Sequence, residues 1–166
     1  AHARLIGEEG RGVRNIIEMA TYTRVDCAVS SSGLMRQALA QAMHHCSHRR
    51  VFQKHLIDQP LMQNVLADLA LEVEGATALS FRVARAFDEA DASESEAAYR
   101  RIMNPVAKYW ACKRAPGFTY EAMECLGGNG YIEDSVIARI YREAPLNGIW
   151  EGSGNVMCLD VLRVMG

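Results

Sequence analysis

The feature that most constrains this fold is a stretch, residues 11–50, that no proline interrupts. Apolar residues recur along its start every three or four positions, which is the spacing of one face of an α-helix. They are Val13, Ile16, Ile17, Met19 and Ala20. Small residues at 28–33 indicate close packing against a second helix, although Gly33 could also break the helix. The pattern therefore predicts one very long amphipathic helix.

Two further long helices are predicted after it. One covers residues 60–88, with Asp58 among the N-cap candidates just before it and a proline allowed in its first turn. The other covers residues 94–126, where Pro105 or Pro116 could interrupt it.

Two short helices are predicted near the end, at residues 135–143 and 153–164. No stretch alternates apolar and polar residues for long enough to predict a sheet. We therefore predict an all-α, up-and-down four-helix-bundle-type domain of long helices, with a short helical pair at the C-terminus. Residues 1–166 are expected to form this one domain.

Composition excludes several functions. The net charge of −2 gives no electrostatic reason for nucleic acid or an anionic membrane to be the main partner. No apolar run approaches the ~20 residues that cross a bilayer. The five cysteines form no C-x-x-C pair and are odd in number, which is typical of reduced thiols. These features predict a soluble, cytoplasmic protein, and the start without methionine suggests a piece of a longer chain.

Possible metal and phosphate sites each have a simpler alternative. His44 and His48 are spaced to share a metal, but no third ligand follows at helical spacing, so exposed histidines and no metal are expected. The glycines at 127–130 could bind a phosphate or simply end a helix. Arg49 and Phe52 could hold a diphosphate and cover a ring, or form a basic helix end. Two cysteines with apolar neighbours, Cys27 and Cys158, are expected to be buried.

The segment Asn147–Asn155, NGIWEGSGN, places Glu151 between Trp150 and a run of small residues. The carboxylate could be an acid in the first turn of a helix, which the helix dipole favours. It could also be a base in a dry pocket, where desolvation would raise its pKa. These two roles do not exclude each other.

Five motifs in order carry a resemblance that none carries alone. They are LIGEEGRG at 5–12, RRVF at 49–52 ahead of LADL at 66–69, LGGNGY at 126–131, YREA at 141–144 and WEGS at 150–153. The chain resembles the C-terminal helical domain of the acyl-CoA dehydrogenase family of flavoproteins over essentially its whole length. The segments QPLM at 59–62 and 149–163 are most similar to the alkylation-response branch of that family.

The resemblance implies FAD as cofactor and α,β-dehydrogenation of an acyl-CoA thioester. Glu151 occupies the position of the base that takes the α-proton while the flavin accepts the β-hydride. It implies that Arg24 and Trp150 contact the substrate. It also implies a set of residues that contact FAD: Arg49, Phe52, Leu56, Gln59, Met62, Glu124, Gly128, Ser153 and Asn155.

The implied partners are an acyl-CoA substrate and a second subunit, in a homodimer or homotetramer, with an unidentified electron acceptor. Gln53, Pro60 and Glu124 depart from the residues usual in the family, and the Glu124 carboxylate would repel a diphosphate. The family's N-terminal helical and middle β-domains lie outside the chain, so the chain alone is expected to be inactive. The alternatives are a DNA-binding or DNA-protective flavoprotein of the alkylation response, and a module that serves only in assembly.

Overall fold

The computed structural model describes residues 1–166, and α-helix accounts for most of them. Three long helices come first: α1 (Gly12–His48), α2 (Pro60–Glu89) and α3 (Glu94–Cys125). Three shorter helices follow: α4 (Gly128–Tyr131), α5 (Val136–Glu143) and α6 (Gly154–Met165). A small hairpin of β1 (Arg50–Val51) and β2 (Lys54–His55) joins α1 to α2, and 3-10 turns cover Leu56–Asp58 and Ala144–Gly148. The predicted all-α class is confirmed.

The three long helices run up and down and pack on one another in all three pairs. Two ion pairs fix the antiparallel direction of α2 and α3, since Arg114 binds Glu72 while Arg82 binds Glu96. The main core lies among these helices and α5. Its larger buried members are Met35, Leu66, Leu69, Val73, Phe118, Met123, Ile137 and Ile140.

Both long helices that the sequence left open to a break are continuous. α1 passes through Gly33, where the neighbouring Ser31 and Ser32 are buried, as close helix packing predicts. α3 passes through Pro105 and Pro116. Each proline forfeits one helical hydrogen bond, but Pro105 is fully buried, so packing offsets the loss.

The apolar stripe that predicted α1 is exposed in this chain. Val13, Ile16, Ile17 and Met19 all face outward, and the buried positions of α1 begin only at Cys27. Helical period alone does not say what covers a stripe. In α1 the first four turns or so, before Cys27, contain no buried residue.

The connection between α1 and α2 contains a short hairpin that the sequence did not predict. Arg50 pairs with His55 and Val51 pairs with Lys54, which leaves Phe52 and Gln53 at the tip. Strands of two residues are too short for an alternating pattern to reveal. The N-cap of α2 is Gln59 rather than Asp58, and Pro60 occupies the first turn as predicted.

The C-terminal helices pack on α3. Ser135 caps α5 by accepting a hydrogen bond from the Ile137 amide at 3.4 Å. α6 buries Gly154, Met157 and Asp160, which share one helix face at a spacing of three residues. Cys158 lies one position off that face and is exposed, so the prediction of a buried Cys158 was wrong. No helix combines the length and hydropathy that a membrane crossing requires.

Candidate active site and cofactor hollow

Glu151 lies in a tight turn between the 3-10 turn Ala144–Gly148 and α6. Its φ of +57° falls in the left-handed region, which costs a non-glycine residue about 1–2 kcal/mol. Gly152 follows at φ +103°, and a Cβ there would lie 2.8 Å from the Met157 Cε. Strain of this kind persists only where the surroundings enforce it, and it is typical of functional sites.

Two cations from distant helices hold the carbonyl groups of this turn. The Arg24 Nε, from α1, donates to the Glu151 carbonyl at 3.1 Å. The Lys108 Nζ, from α3, donates to the carbonyl groups of Gly152 at 2.7 Å and Asn147 at 3.1 Å. Lys108 is only 1% exposed, and its burial lowers the pKa of its ammonium group. The Glu151 backbone is therefore fixed from two sides.

Asp160 extends this network into α6. Its two carboxylate oxygens accept hydrogen bonds from Arg24 and Arg101, each at 2.8 Å. The Arg101 and Arg24 guanidinium groups outweigh the effect of burial and lower the pKa of the Asp160 carboxyl group. Asp160 thus orients Arg24, whose other edge binds the Glu151 carbonyl.

Glu151 is half-buried in this chain. The indole is 51% exposed and donates to the Asn147 Oδ1 at 3.1 Å. The expectation of a carboxylate walled in by Trp150 is therefore not met within these residues. Ser153 and Asn155, both expected near the cofactor, lie exposed at the start of α6 beside Glu151.

A groove of about 570 Å³ lies on the other side of Arg24, between the start of α1, α3 and α6. Glu18, Asp160 and several apolar side chains line it. So do four more arginines: Arg14, Arg100, Arg101 and Arg163. Asn104, which is 2% exposed, also lines the groove. Its amide nitrogen donates to the Thr21 carbonyl at 2.8 Å, while its Oδ1 is buried without a partner.

A second concave site lies at the other end of α1. This hollow, called the cofactor hollow because residues expected to contact FAD line it, has a volume of about 490 Å³ and is lined by His45, Arg49, Leu56, Met62 and residues 124–129. Five of the residues expected to contact FAD line it together: Arg49, Leu56, Met62, Glu124 and Gly128.

Two other residues expected to contact FAD lie on the hairpin and just after it, Phe52 and Gln59. Phe52 is at the tip and is 93% exposed, with φ of +47°. Gln53 follows at φ +68°, so both tip residues adopt left-handed backbone. The Gln59 side chain donates to the Val51 carbonyl at 3.3 Å and so braces the hairpin.

The two sites are far apart. Arg24 marks one and Arg49 marks the other, and both belong to α1 or its C-cap. At a rise of about 1.5 Å per residue, they lie roughly 37 Å apart along the helix axis. One small molecule cannot contact both sites of a single chain.

The three histidines near the end of α1 differ in exposure. His44 and His48 are exposed, as predicted, but His45 is half-buried and lines the cofactor hollow. Burial and the nearby Arg49 lower the pKa of His45. No group of three or more histidine, cysteine, aspartate or glutamate side chains is placed to hold a metal ion.

Sequence reasoning missed Lys108, Asp160 and Arg101. One signal was available for Lys108, since it follows Asn104 by four residues and precedes Cys112 by four, on a stripe that is otherwise small or apolar. A lysine on such a stripe is rarely buried without a partner. For Asp160 the matching signal is a carboxylate three residues after Met157 on the buried face of α6.

These features define a class: a helical-bundle domain that presents a carboxylate on a strained turn and, at its far end, an arginine- and glycine-lined hollow. The family model for the acyl-CoA dehydrogenase C-terminal domain matches residues 10–166, and the chain belongs to the acyl-CoA dehydrogenase family. It is 53% identical over 161 residues to AidB of Escherichia coli strain K12, covering 97% of this chain and 30% of AidB. This confirms the resemblance to the family and to its alkylation-response branch.

Other relatives agree. Acyl-CoA dehydrogenase family member 11 of Caenorhabditis elegans is 39% identical over 167 residues, covering 99% of this chain and 27% of that protein. The crystal structure of C. elegans ACDH-11 in complex with C11-CoA superposes with a TM-score of 0.92 at 38% identity, covering 97% of this chain and 28% of that chain. Butyryl-CoA dehydrogenase from Megasphaera elsdenii gives a TM-score of 0.84 at 27% identity, covering 96% of this chain and 40% of that one. The chain thus spans well under half the length of the relatives it matches.

Proposed function

We propose that this chain is the C-terminal helical domain of an FAD-dependent acyl-CoA dehydrogenase in which Glu151 takes the α-proton of the acyl thioester. In the same proposal, Arg24 and Trp150 contact the substrate. The cofactor hollow contacts FAD. Residues 1–166 act as one domain of a larger oxidoreductase.

The observation that supports this most is the continuity between Glu151 and the arginine groove. The Arg24 guanidinium binds the Glu151 carbonyl on one side and lines the groove on the other. The chain as a whole is slightly acidic, yet five of its 18 basic residues line this one groove. Such a groove suits a polyanionic carrier such as coenzyme A, whose acyl end would then lie beside the carboxylate.

The groove also offers more than charge. The unpartnered Asn104 Oδ1 is a buried acceptor at its wall, and a buried polar atom without a partner is costly. An N–H or O–H group of a ligand would satisfy it. The apolar side chains of Ile17 and Phe87 provide contact area for the uncharged part of the same ligand.

The proton step uses Glu151 alone. Its carboxylate accepts the proton from the α-carbon, and the electron pair of that C–H bond becomes the α,β double bond. The β-hydrogen then leaves with its own electron pair. When bound, FAD supplies the acceptor for that hydride. The turn contributes orientation, because its carbonyl groups are fixed by Arg24 and Lys108 before substrate arrives.

The hollow fits part of a dinucleotide. The Arg49 guanidinium and the open backbone at Gly127 and Gly128 suit a diphosphate, while Leu56 and Met62 suit its apolar neighbours. Glu124 is the one anionic residue of the set. Since the hollow lies roughly 37 Å from Arg24 along α1, a cofactor held there belongs to the active site of a neighbouring subunit. The active enzyme is then at least a homodimer.

The decisive experiment compares Glu151→Gln with the unchanged complete protein. Both are titrated anaerobically with short, branched and long acyl-CoA thioesters while the flavin absorbance is followed. We expect the rate of bleaching to fall by a factor of about 10²–10⁴ in Glu151→Gln. Glu143→Gln, an exposed carboxylate at the end of α5, is the matched control and should leave the rate unchanged.

The other outcomes separate the alternatives. A Glu151→Gln protein that bleaches as fast as the parent would remove Glu151 as the base. A complete protein that purifies without flavin would favour a module that serves only in assembly. Because the arginine groove would also suit duplex DNA, the same protein is tested by gel shift at rising salt. DNA that competes with acyl-CoA for Arg24 and Arg163 would favour the DNA-binding alternative.

A further inference from the structure

Lys108 has a geometry that its neighbours on α3 do not share. Its Nζ reaches out of the helix and binds the carbonyl groups of Asn147 and Gly152, at 3.1 and 2.7 Å. Those two residues stand on either side of Glu151. A single ammonium group therefore closes the turn that carries the carboxylate.

The core around Lys108 does not by itself require a lysine at this position. Its other ionisable neighbours are the buried thiols of Cys27 and Cys112, Arg24 and Glu151, and it forms no ion pair within 4 Å. Burying an unpaired ammonium group is costly, and burial lowers the pKa of this one. An apolar residue would fill such a position at less cost, so the core alone does not account for a lysine.

The cost is offset at the turn. With Glu151 at φ +57° and Gly152 at φ +103°, the Gly152 carbonyl accepts a hydrogen bond from the Lys108 Nζ at 2.7 Å. Without that donor, Glu151 could relax to negative φ and gain about 1–2 kcal/mol. The carboxylate would then move with its Cα.

We propose that Lys108 is a positioning residue, which holds the Glu151 carboxylate in its reactive orientation by binding the carbonyl groups of Asn147 and Gly152. This inference rests on the proposed role of Glu151 as the base. Lys108 does not touch the substrate or exchange a proton in this proposal. It acts through the shape of the turn, and its charge also lies near the Glu151 carboxylate.

The test uses Lys108→Met in the complete protein, because methionine keeps most of the volume and loses the donor. We expect the limiting rate of flavin bleaching to fall about 10²-fold, as a displaced catalytic group does. The acyl-CoA concentration at half-saturation should stay unchanged, because the arginine groove is intact. Lys113→Met, five residues further along α3 and exposed, binds neither carbonyl and should change neither quantity.

A second measurement does not depend on activity. Hydrogen exchange at the amides of residues 147–154 should rise in Lys108→Met and stay at the parent level in Lys113→Met. Exchange elsewhere in α3 and α6 should be unaltered. A merely structural lysine would change exchange along α3 as well.

The outcomes distinguish the two proposals. If Glu151→Gln abolishes bleaching while Lys108→Met leaves both the rate and the exchange of 147–154 unchanged, the role of Lys108 is overturned and that of Glu151 stands. If Glu151→Gln has no effect, the proposed function fails, and the exchange measurement still decides whether Lys108 holds the turn. A Lys108→Met protein that no longer folds would assign Lys108 to global stability and would also overturn its positioning role.

Discussion

Two turns of this molecule carry non-glycine residues in left-handed backbone, and they are built in opposite ways. At the hairpin tip, Phe52 and Gln53 are exposed, and only the hairpin's own short ladder and the Gln59 side chain support them. The turn at residues 147–152 is called the base turn because Glu151 is the proposed base. It is held by Arg24 and Lys108, which belong to α1 and α3. The same backbone strain is therefore supported by few contacts in the exposed turn, and by a buried lysine and a half-buried arginine in the other.

The contrast indicates which part of the site this chain completes by itself. The base turn has its donors, its packing and its network through Asp160 in place within the chain. The hairpin and the cofactor hollow present an exposed phenylalanine and an open arginine instead. We expect substitutions at the base turn to disturb this chain directly, and substitutions at the hollow to act mainly on the binding of its ligand.

The largest difference in stability is expected between two glycine-to-alanine substitutions, one in the base turn and one in the cofactor hollow. Gly152→Ala puts a Cβ at φ +103°, where a side chain strains the backbone, and 2.8 Å from the Met157 Cε and 3.0 Å from the Val156 Cγ1, so these side chains must shift. We expect a loss of about 3 kcal/mol in stability from the backbone and overpacking costs together. The bleaching rate should fall about 100-fold. Thermal unfolding and stopped-flow absorbance measure the two.

Gly128→Ala is the counterpart in the cofactor hollow. Gly128 is helical, and nothing lies within 4 Å of an added Cβ. Its stability should rise by up to about 1 kcal/mol, because alanine restricts the unfolded chain. Equal destabilisation by the two substitutions would contradict the contrast between the regions.

Asp160→Asn should give the next largest effect. It removes the charge that Arg24 and Arg101 share, which should destabilise the fold by about 2–3 kcal/mol at neutral pH. Glu133→Gln, which breaks the exposed pair with Arg142, should cost less than about 1 kcal/mol. Chemical denaturation compares them, and equal costs would show that the Asp160 network contributes no more than a surface ion pair.

The interaction of Asp160 with Arg24 and Arg101 also predicts a pH dependence of stability. The pKa of Asp160 is lowered in the folded state by Arg101 and Arg24, so its contribution is complete above the ordinary aspartate value of about 3.9. The contribution is lost as the pH falls below that value and through the lower folded pKa. The difference in unfolding free energy between Asp160→Asn and the parent should therefore be constant from pH 7 to about 5 and shrink below pH 4.

Sequence patterns predicted the helices well, for definable reasons. A 3.6-residue period and a proline in a first turn are local signals, so α1, α2 and α3 were predicted to within a few residues. Glu151 was found because its motif is local too. Lys108 was not, because its acceptors are main-chain carbonyls 39 and 44 residues away, which no residue type reveals. The exposed Cys158 shows the same limit, since its burial depends on which face of α6 meets α3.

A smaller effect is expected at the hollow itself. The Glu124 carboxylate is the only one that lines the hollow, and its charge raises the pKa of the neighbouring Tyr120. Glu124→Gln removes that charge. If a diphosphate binds there, the substitution should strengthen FAD binding by about 1 kcal/mol, or roughly fivefold in Kd. Fluorescence titration of the complete, flavin-depleted protein measures this. Glu121→Gln, exposed on α3 and outside the hollow, is the control, and equal gains in both would point to a general charge effect.

The smallest effect is expected at the hairpin tip. Gln53 adopts φ +68°, where glycine has no steric cost but a larger loss of entropy on folding. Gln53→Gly should therefore stabilise the protein by only about 0.5 kcal/mol and leave the bleaching rate unchanged. Differential scanning calorimetry on both proteins checks it, and a marked loss of stability would show that the Gln53 side chain has a structural role.

The base turn also has a consequence for the order in which the molecule folds. The Glu151 carbonyl depends on Arg24, 127 residues earlier in the chain. Contacts between residues so distant in sequence form late, after the intervening segments have packed. During synthesis, α1, α2 and α3 must all have emerged and docked before the carboxylate can be aligned. A partly folded chain, or one damaged in any of its three long helices, would therefore carry the motif without a positioned Glu151.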